Sequence, residues 1–448
     1  MNISRILHAG YLFKSGETRI LFDPIFENPF SRNCYAFPQI EFDLEQIKCL
    51  KFSAVFISHF HDDHFSMESL NLLDRNTPIY MYCLHEEIFE LIRELGFNEV
   101  HSLRLNRFVE IGHFKVTARR ALDVEVDCLL QIEAEGLNIL NVVDSWIDEQ
   151  TLNVLQNQKP WDLILWPFQT LRETEILTPS KALPPEPHLP PEWIHQLRIL
   201  HPRYVVPSSC QFIHESWSWY NHALFPVSYN QFTHEIELAL GGDTKVIRFE
   251  PSISMNLNAT SISNTDSLPW IKTVGERNED YHFFAGAQAP PTSDIAQNFS
   301  ALTRTQAIEV ENYCLYDLLL KLKSRVQTFD PYFSVPLTWR LILYNHLGHS
   351  QIYNYRINGE QTEIADFEDQ TYDWLTEVPI AKLHAAIKEG EALTSMYLRV
   401  NDVDFAPRIE SKIRAVDVLE DPLIRCLFDG ELGSYQKAQM KRLKLFHS

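Results

Sequence analysis

The stretch Ser58-His59-Phe60-His61-Asp62-Asp63-His64 decides how this sequence is interpreted, because it places three histidines and two aspartates within residues 59–64. It includes the end of an apolar run, residues 54–58, which predicts a buried strand. A loop at a strand end can aim alternate side chains inward, so His59 and His61 can share one metal ion. Asp63 and His64 can reach a second ion about 3.5–4 Å away. Imidazole and carboxylate ligands suit zinc, iron or manganese. The alternative, a solvated polar turn, is the weaker interpretation of so dense a cluster.

Outward from this motif, the first 250 residues alternate strand-like and helix-like segments. Residues 139–143 form an apolar strand that ends at Asp144. Residues 252–306 differ in composition, since Asn, Ser and Thr are frequent at first, and small residues and Pro follow. These patterns predict a metal-binding domain over residues 1–251, a linker region over 252–306 and a C-terminal α+β domain over 307–448.

Composition excludes several classes of protein. The 39 basic and 60 acidic residues give a formal net charge of −21, which disfavours nucleic acid and anionic membranes as partners. No apolar run approaches the ~20 residues of a membrane helix, so no membrane span is expected. Seven cysteines without paired spacing, and an N-terminus unlike a secretory signal, predict reduced thiols and a cytoplasmic location. The sequence says nothing of the oligomeric state.

The H-x-H-x-D-H motif resembles that of the metallo-β-lactamase superfamily. Ile6-Leu7-His8-Ala9-Gly10 and Ile20-Leu21-Phe22-Asp23-Pro24 are similar to the opening hairpin of the branch with the ascorbate-phosphate lactonases and the N-acyl-phosphatidylethanolamine phospholipases D. Asn141-Val142-Val143-Asp144 is similar to the strand that ends in the metal-bridging aspartate. The resemblance implies an αββα sandwich with metals at one edge of two sheets. A carboxylate has two oxygens that can bind two cations, so Asp144 suits the bridging position.

A narrower likeness is to the CMP-N-acetylneuraminate hydroxylases, in the part that follows their Rieske domain. It covers residues 1–250 and, more loosely, 330–430. The Rieske iron–sulfur motif, which needs two Cys/His pairs, is missing, because Cys83-Leu84-His85 has no C-x-x-H partner in this sequence. The landmarks of the likeness are residues 59–64, Asp127 with Asp144, Pro207-Ser208-Ser209, residues 394–399 and Asp421-Pro422-Leu423.

The sequence departs from the superfamily pattern at the third ligand of the first metal. Hydrolases of the superfamily supply a histidine there, but no histidine lies between His113 and His188. Counting back from Asp144, the position falls on Asp123. The first site would then consist of two histidines, His59 and His61, and the Asp123 carboxylate, which is the ligand set of many non-haem iron(II) sites. The alternative is that Asp123 is an exposed loop acid.

A second departure concerns the last ligand histidine, whose position falls on Ser209. His214 is near enough in sequence to replace it; the alternative is a surface helix residue. In this branch of the superfamily His8 points toward the metal edge, where it would orient a ligand or substrate. The alternative is a hydrogen-bonded core histidine.

The resemblance implies metal-assisted hydrolysis. One or two divalent ions are expected, zinc first, with iron or manganese as alternatives. A metal-bound hydroxide would attack a phosphoester or lactone carbonyl of a small polar, sugar- or nucleotide-like substrate, and Asp63 or Asp144 would take the proton. We predict that His59, His61, Asp63, His64 and Asp144 converge on these ions. Two alternatives stay open: a non-haem iron redox protein, and a metal-binding protein without catalysis.

Overall fold

The computed structural model describes residues 1–182, 188–325, 336–359, 361–365, 372–402, 419, 421–428 and 432–447. The chain divides into two units. The first unit contains Met1–Leu171, Pro185–Phe283 and Gln439–Ser448, and the second contains Arg172–Pro184 and Phe284–Ala438. Among the described helices, none combines the length and apolar character that crossing a membrane requires.

The first sheet of the first unit is mixed. The four strands at one side, from Thr18–Phe22 to Val100–Ser102, run parallel, and the others pair antiparallel. Ala54–Ile57 is buried along its whole length, as expected for a parallel strand covered on both faces. In spatial order the strands are Ile262–Thr265, Ser254–Leu257, Asn2–Arg5, Tyr11–Ser15, Thr18–Phe22, Ala54–Ile57, Ile79–Met81 and Val100–Ser102.

The second sheet is also mixed. Its strands from Leu137–Asn141 to Lys245–Val246 are parallel, and the remaining pairs are antiparallel hairpins. In spatial order they are Lys245–Val246, Tyr204–Pro207, Leu163–Trp166, Leu137–Asn141, Cys128–Ala134, Phe114–Arg120 and Phe108–Ile111. Two small ribbons complete the unit: Tyr35–Ala36 pairs with Phe212–Ile213, and Ile40–Phe42 pairs with Ile271–Thr273.

The two sheets share one apolar core. Phe22 and Phe56 of the first sheet lie in the same buried cluster as Leu130 and Leu165 of the second. The helix Glu86–Glu94 buries its apolar residues and exposes glutamates, as expected of a helix that covers a sheet. The predicted αββα sandwich is therefore confirmed. Its helices are Leu44–Lys48, Met67–Asn71, Glu86–Glu94, Glu149–Gln156, Pro191–Leu200, Tyr220–Ala223, Tyr229–Leu240 and the end of Ser434–His447.

The region predicted as a linker, residues 252–306, departs from that expectation over its first third. Ser254–Leu257 pairs with Asn2–Arg5, and Ile262–Thr265 then forms the exposed edge of the first sheet. The reason is that apolar and polar residues alternate here, as expected of a strand with one buried face. Met255 and Leu257 lie in the core, and the polar residues around them give the segment the composition of a linker. The chain also returns to the first unit at Gln439.

The second unit is an α+β domain, as predicted. Its core cluster contains Trp339 and Tyr355 from the sheet and Leu383 and Leu423 from helices. The sheet has the spatial order Gln361–Ile364, Ser350–Asn358, Leu337–Tyr344, Trp374–Pro379 and Arg399–Val400. The helices are Glu173–Leu177, Thr292–Ala296, Arg304–Asn312, Leu318–Arg325, Ile380–Glu389, Pro422–Phe428 and the start of Ser434–His447, with the π-helical turn Tyr313–Asp317 and short 3₁₀ turns at Pro179–Lys181 and Thr394–Met396.

Candidate metal centre

The candidate site lies where strands of both sheets end. His59 follows Ala54–Ile57, and Asp144 follows Leu137–Asn141. Asp127 comes directly before the antiparallel strand Cys128–Ala134, so it lies at the same edge. Polar side chains that follow buried strands at one sheet edge are the usual place for a site in an α/β fold.

The first ligand group contains His59, His61 and Asp127, whose candidate ligand atoms lie within 4.8 Å of one another. The imidazole of His59 is buried, and its Nε2 is 3.8 Å from Asp127 Oδ1. Ser58 Oγ lies 2.9 Å from His59 Nδ1, so the other nitrogen faces the carboxylate. His61 is exposed, which places this group at the protein surface.

The second ligand group contains His8, Asp63, His64 and Asp144, again within 4.8 Å of one another. The Nε2 atom of His64 is 3.1 Å from Asp144 Oδ2 and 3.6 Å from Asp63 Oδ2. The Nε2 atom of His8 is 3.1 Å from the same oxygen of Asp63. A turn folds His64 back beside His59, because the His64 amide donates to the His61 carbonyl.

Asp144 faces both groups. Its Oδ2 lies 3.1 Å from His64 Nε2, and its Oδ1 lies 3.9 Å from His59 Nε2. The residue before it, Val143, has φ +64°, an unfavourable conformation for a β-branched side chain. The Val143 carbonyl accepts a hydrogen bond from Ser209 Oγ, and its amide donates to Asn141 Oδ1. These contacts hold the strained turn that directs Asp144 into the site.

Asp23 positions residues of the centre through hydrogen bonds. This role was not predicted from the sequence. Asp23 is fully buried at the end of strand Thr18–Phe22. Its carboxylate accepts from the Ser58 amide and hydroxyl, both at 2.7 Å, and lies 3.0 Å from His64 Nδ1. In the sequence, the indication of this role is that Asp23 follows an apolar segment. In the structure, that segment is a strand parallel to Ala54–Ile57.

The buried atoms His59 Nε2, Asp127 Oδ1 and Asp144 Oδ1 make no hydrogen bond among the described residues, and neither does His8 Nδ1. Buried polar atoms without partners are costly, so native proteins rarely leave them so. Nitrogen and oxygen ligands bind divalent ions at about 2.0–2.2 Å, which places two ligands of one ion roughly 3–4 Å apart. The separations of 3.8 and 3.9 Å between these atoms fit that spacing. The residues therefore fit a divalent metal ion.

The charges at the centre agree with this interpretation. Burial and the neighbouring His64 hold the pKa of His59 well below its ordinary value. Burial and the Asp144 carboxylate raise the pKa of Asp127 to about 6. Burial opposes the charge of His64, but Asp144 and Asp63 outweigh it and raise the pKa of that histidine well above its ordinary value. The lowered pKa favours the neutral form of His59, which is the form that binds a metal, and the close carboxylates favour positive charge between them, which a bound cation would supply.

The structure places Asp127, and not Asp123, beside His59 and His61. Asp123 is exposed, and its carbonyl accepts from the Asp127 amide at 2.8 Å, which makes it part of the preceding turn. The reason is strand register: Leu130 pairs with Asn141, so continuing the pairing by three residues sets Asp127 opposite Asp144. Glu135 and Gly136, both with positive φ, form the two-residue turn that fixes this register. The turn residue Gly136 is visible in the sequence, but the register that sets Asp127 opposite Asp144 is seen only in the structure.

His214 lies in neither ligand group. It is buried, and its ring packs at 5.6 Å from Phe212, 5.3 Å from Tyr220 and 6.1 Å from Phe225. The structure therefore does not bring His214 together with the other predicted ligands. The equivalent of the last ligand histidine, Ser209, is buried and uses its hydroxyl to hold the Val143 carbonyl.

Comparison with known proteins gives the following likenesses. No family model matches the chain. A cytidine monophosphate-N-acetylneuraminic acid hydroxylase of Danio rerio is 27% identical over 152 residues, which is 32% of this chain and 26% of the relative. The chain thus matches only about a quarter of the length of that relative.

Several solved structures are similar in fold. Igni18, a metallo hydrolase from Ignicoccus hospitalis, is 16% identical with a TM-score of 0.41, covering 57% of this chain and 99% of that one. An isothiocyanate hydrolase from Delia radicum gut bacteria is 14% identical with a TM-score of 0.42, covering 58% and 100%. CmlA, a diiron β-hydroxylase from Streptomyces venezuelae, is 13% identical with a TM-score of 0.39, covering 59% and 54%.

Proposed function

We propose that this chain, which has the metallo-β-lactamase fold, is a hydrolase that uses two divalent metal ions. The observation that carries the proposal is the position of Asp144, whose two oxygens face two separate groups of ligands. A carboxylate between two such groups is the arrangement of a two-metal site. In this proposal the first ion would be held by His59, His61 and Asp127 and the second by Asp63 and His64, with Asp144 between the two groups.

The bound ions would supply Lewis acidity and lower the pKa of water, which is the chemistry that hydrolysis of an ester requires. The protein residues orient the ligands around them. Ser58 and Asp23 fix the rings of His59 and His64, and the Val143 turn fixes Asp144. Asp63 and Asp144 are the carboxylates available to accept the proton. We propose a small polar phosphoester or lactone as substrate, and zinc as the metal.

A specific observation favours a second candidate, an iron-dependent oxidation. Asp127 takes the place of a histidine, so His59, His61 and Asp127 form a set of two histidines and one carboxylate, which suits non-haem iron. The Danio rerio relative is named as a hydroxylase, which also favours this second candidate. These 448 residues contain no paired C-x-x-H motif for a Rieske cluster.

Metal content and turnover separate these candidates. The full chain is purified without chelators and without a His tag, and its metals are measured by elemental analysis. It is then assayed on panels of phosphoesters and lactones, with Asp144→Ala as the inactive control. Zinc or manganese with chelator-sensitive hydrolysis supports the hydrolase. Iron with oxygen-dependent turnover supports the oxidation. Protein that binds metal but turns over neither panel supports a metal-binding protein without catalysis, and protein that binds no metal refutes all three.

A further inference from the structure

His8 lies in a tight turn between two strands of the first sheet, Asn2–Arg5 and Tyr11–Ser15. In this turn the Ile6 amide donates to the Gly10 carbonyl, and the Gly10 amide donates to the Leu7 carbonyl. Only glycine fits at position 10, because a Cβ there would lie 2.9 Å from the Asp23 carbonyl oxygen. The turn therefore lies directly against the backbone of the residue that anchors His64.

The backbone at His8 is held in an unfavourable conformation, with φ +49°. A left-handed conformation at a non-glycine residue costs of order 1–3 kcal/mol and persists where the surroundings fix it. Here the buried guanidinium of Arg5 fixes it, since both Nε and Nη2 donate to the His8 carbonyl. In this conformation the imidazole Nε2 faces Asp63 and His64.

The imidazole of His8 is buried and packed between aromatic rings. Its ring centre lies 5.3 Å from that of Phe30 and 6.0 Å from that of Phe212. Its Nε2 lies 3.1 Å from Asp63 Oδ2 and 3.3 Å from His64 Nε2. The ring is thus fixed with one nitrogen pointing at two residues that the proposed function assigns to the second ion.

That nitrogen is one of four ligand-type atoms, from His8, Asp63, His64 and Asp144, that lie within 4.8 Å of one another. Asp23 Oδ2 lies 3.0 Å from His64 Nδ1, so a neutral, metal-bound His64 would keep its proton on that nitrogen. His64 Nε2 then presents a lone pair toward His8 Nε2, and it also faces Asp144 Oδ2 at 3.1 Å. Two imidazole nitrogens and two carboxylate oxygens that face one small space form a ligand set that suits a divalent cation.

We infer that His8 is a ligand of the second ion and replaces the last histidine of the superfamily pattern. The inference rests on the proposed two-metal function. The usual position, Ser209, is committed to the Val143 carbonyl, and His214 lies in neither ligand group. The second ion is then bound by His8, Asp63, His64 and Asp144. Its last histidine comes from the first sheet instead of the loop after Tyr204–Pro207.

The experiment uses the full chain stripped of metal, with Zn²⁺ as the probe. His8→Asn is the test variant, because asparagine tolerates a left-handed backbone better than other non-glycine residues and is a poor zinc ligand. His214→Asn is the matched control, since it removes another buried histidine that also contacts Phe212. Bound zinc is counted by elemental analysis after equilibrium dialysis, and affinity is measured by titration calorimetry.

The wild type and His214→Asn are expected to bind two zinc ions. His8→Asn is expected to bind the first zinc ion with wild-type affinity and the second at least about ten-fold more weakly. The loss of a residue that only orients a ligand already weakens metal binding on this scale. Two ions at wild-type affinity in His8→Asn, or loss of the second ion in His214→Asn, would overturn the inference while leaving the two-metal function standing. A wild type that binds no zinc would overturn the two-metal zinc function itself.

If His8→Asn does not fold, a zinc-loaded crystal of the wild type decides. Anomalous scattering is expected to place one zinc at about 2.0–2.2 Å from His8 Nε2, the normal zinc–nitrogen distance. A second zinc bound without His8 would overturn the inference.

Discussion

Asp23 Oδ2 lies 3.0 Å from His64 Nδ1, and both side chains are completely buried. The two residues come from loops that follow neighbouring parallel strands, 41 positions apart in the chain. The carboxylate fixes the ring plane of His64 and directs Nε2 at Asp144. A carboxylate behind a histidine is the usual way in which a protein orients a metal ligand.

Replacing this anchor should weaken metal binding without removing a ligand. In Asp23→Asn, affinity for the second zinc ion is expected to fall roughly ten- to a hundred-fold, because the neutral amide keeps only one acceptor oxygen for Ser58 and His64. Titration calorimetry on the metal-free protein measures this. The control is Asp123→Asn, which neutralises an exposed acid near the site. Equal affinities in Asp23→Asn and the wild type would show that the anchor does not orient His64.

The assignment of the third ligand can be tested by comparing two aspartates four residues apart. Asp127→Ala is expected to reduce affinity for the first ion by roughly ten-fold or more, since a direct ligand matters at least as much as an outer one. Asp123→Ala is expected to leave it unchanged, because that side chain is exposed in the turn. Elemental analysis and zinc titration of both variants measure the difference. The reverse order of effects would support Asp123, and not Asp127, as the third ligand.

The C-terminal helix is expected to stabilise the loop that follows His64. Gln439 is fully buried, accepts from the Met67 amide at 2.8 Å and donates to Ser66 Oγ at 2.9 Å. Gln439→Ala leaves the buried Met67 amide without its acceptor and should lower the free energy of unfolding by roughly 1–3 kcal/mol. Lys444→Ala, which removes an exposed ion pair with Glu94, should cost at most about 1 kcal/mol. Chemical denaturation compares them, and similar losses would contradict the prediction.

Arg5 is expected to be among the most important residues for stability of the first unit. It is completely buried, and its guanidinium donates to the carbonyls of His8, Pro207, Ser208 and Phe249. Lysine cannot reproduce this fork of donors. Arg5→Lys should therefore lower the free energy of unfolding by about 2 kcal/mol or more, because buried carbonyls lose their donors. Arg104→Lys, at an exposed position, is the control in the same denaturation assay. Equal stability of the two variants would contradict this role.

Metal removal should destabilise the protein, because ligands that bind only the folded state stabilise it. Zinc at a thousand times its Kd should add about 4 kcal/mol to the free energy of unfolding for each site. The melting temperature, measured by calorimetry with zinc and with a chelator, reports this change. Asp144→Ala should show a much smaller difference, since it removes the residue shared by both groups. If neither zinc nor the chelator changes the melting temperature of the wild type, the assignment of this cluster as a metal centre is contradicted.

Much of the fold could be predicted from the sequence, because its signals are local. The apolar run before His59 and the one before Asp144 each predict a buried strand, and both strands are present. The histidines and aspartates of residues 59–64 directly follow the first of these runs, so they predict metal ligands at the end of a strand. The local pattern did not predict the two strands within residues 254–265. These strands form a polar edge of the first sheet, and their composition resembles that of a linker.

The sequence by itself determined which residue types carry the chemistry and that they follow buried strands, since both depend on neighbours in the chain. Only the tertiary structure decided which aspartate joins His59 and His61, because the hairpin register sets Asp127, and not Asp123, opposite Asp144. It also decided that Asp23 supports His64, and that His8 and not His214 faces the second ligand group. These choices depend on strand pairing and backbone turns that bring together residues up to 136 positions apart, as His8 and Asp144 are. No local pattern encodes them.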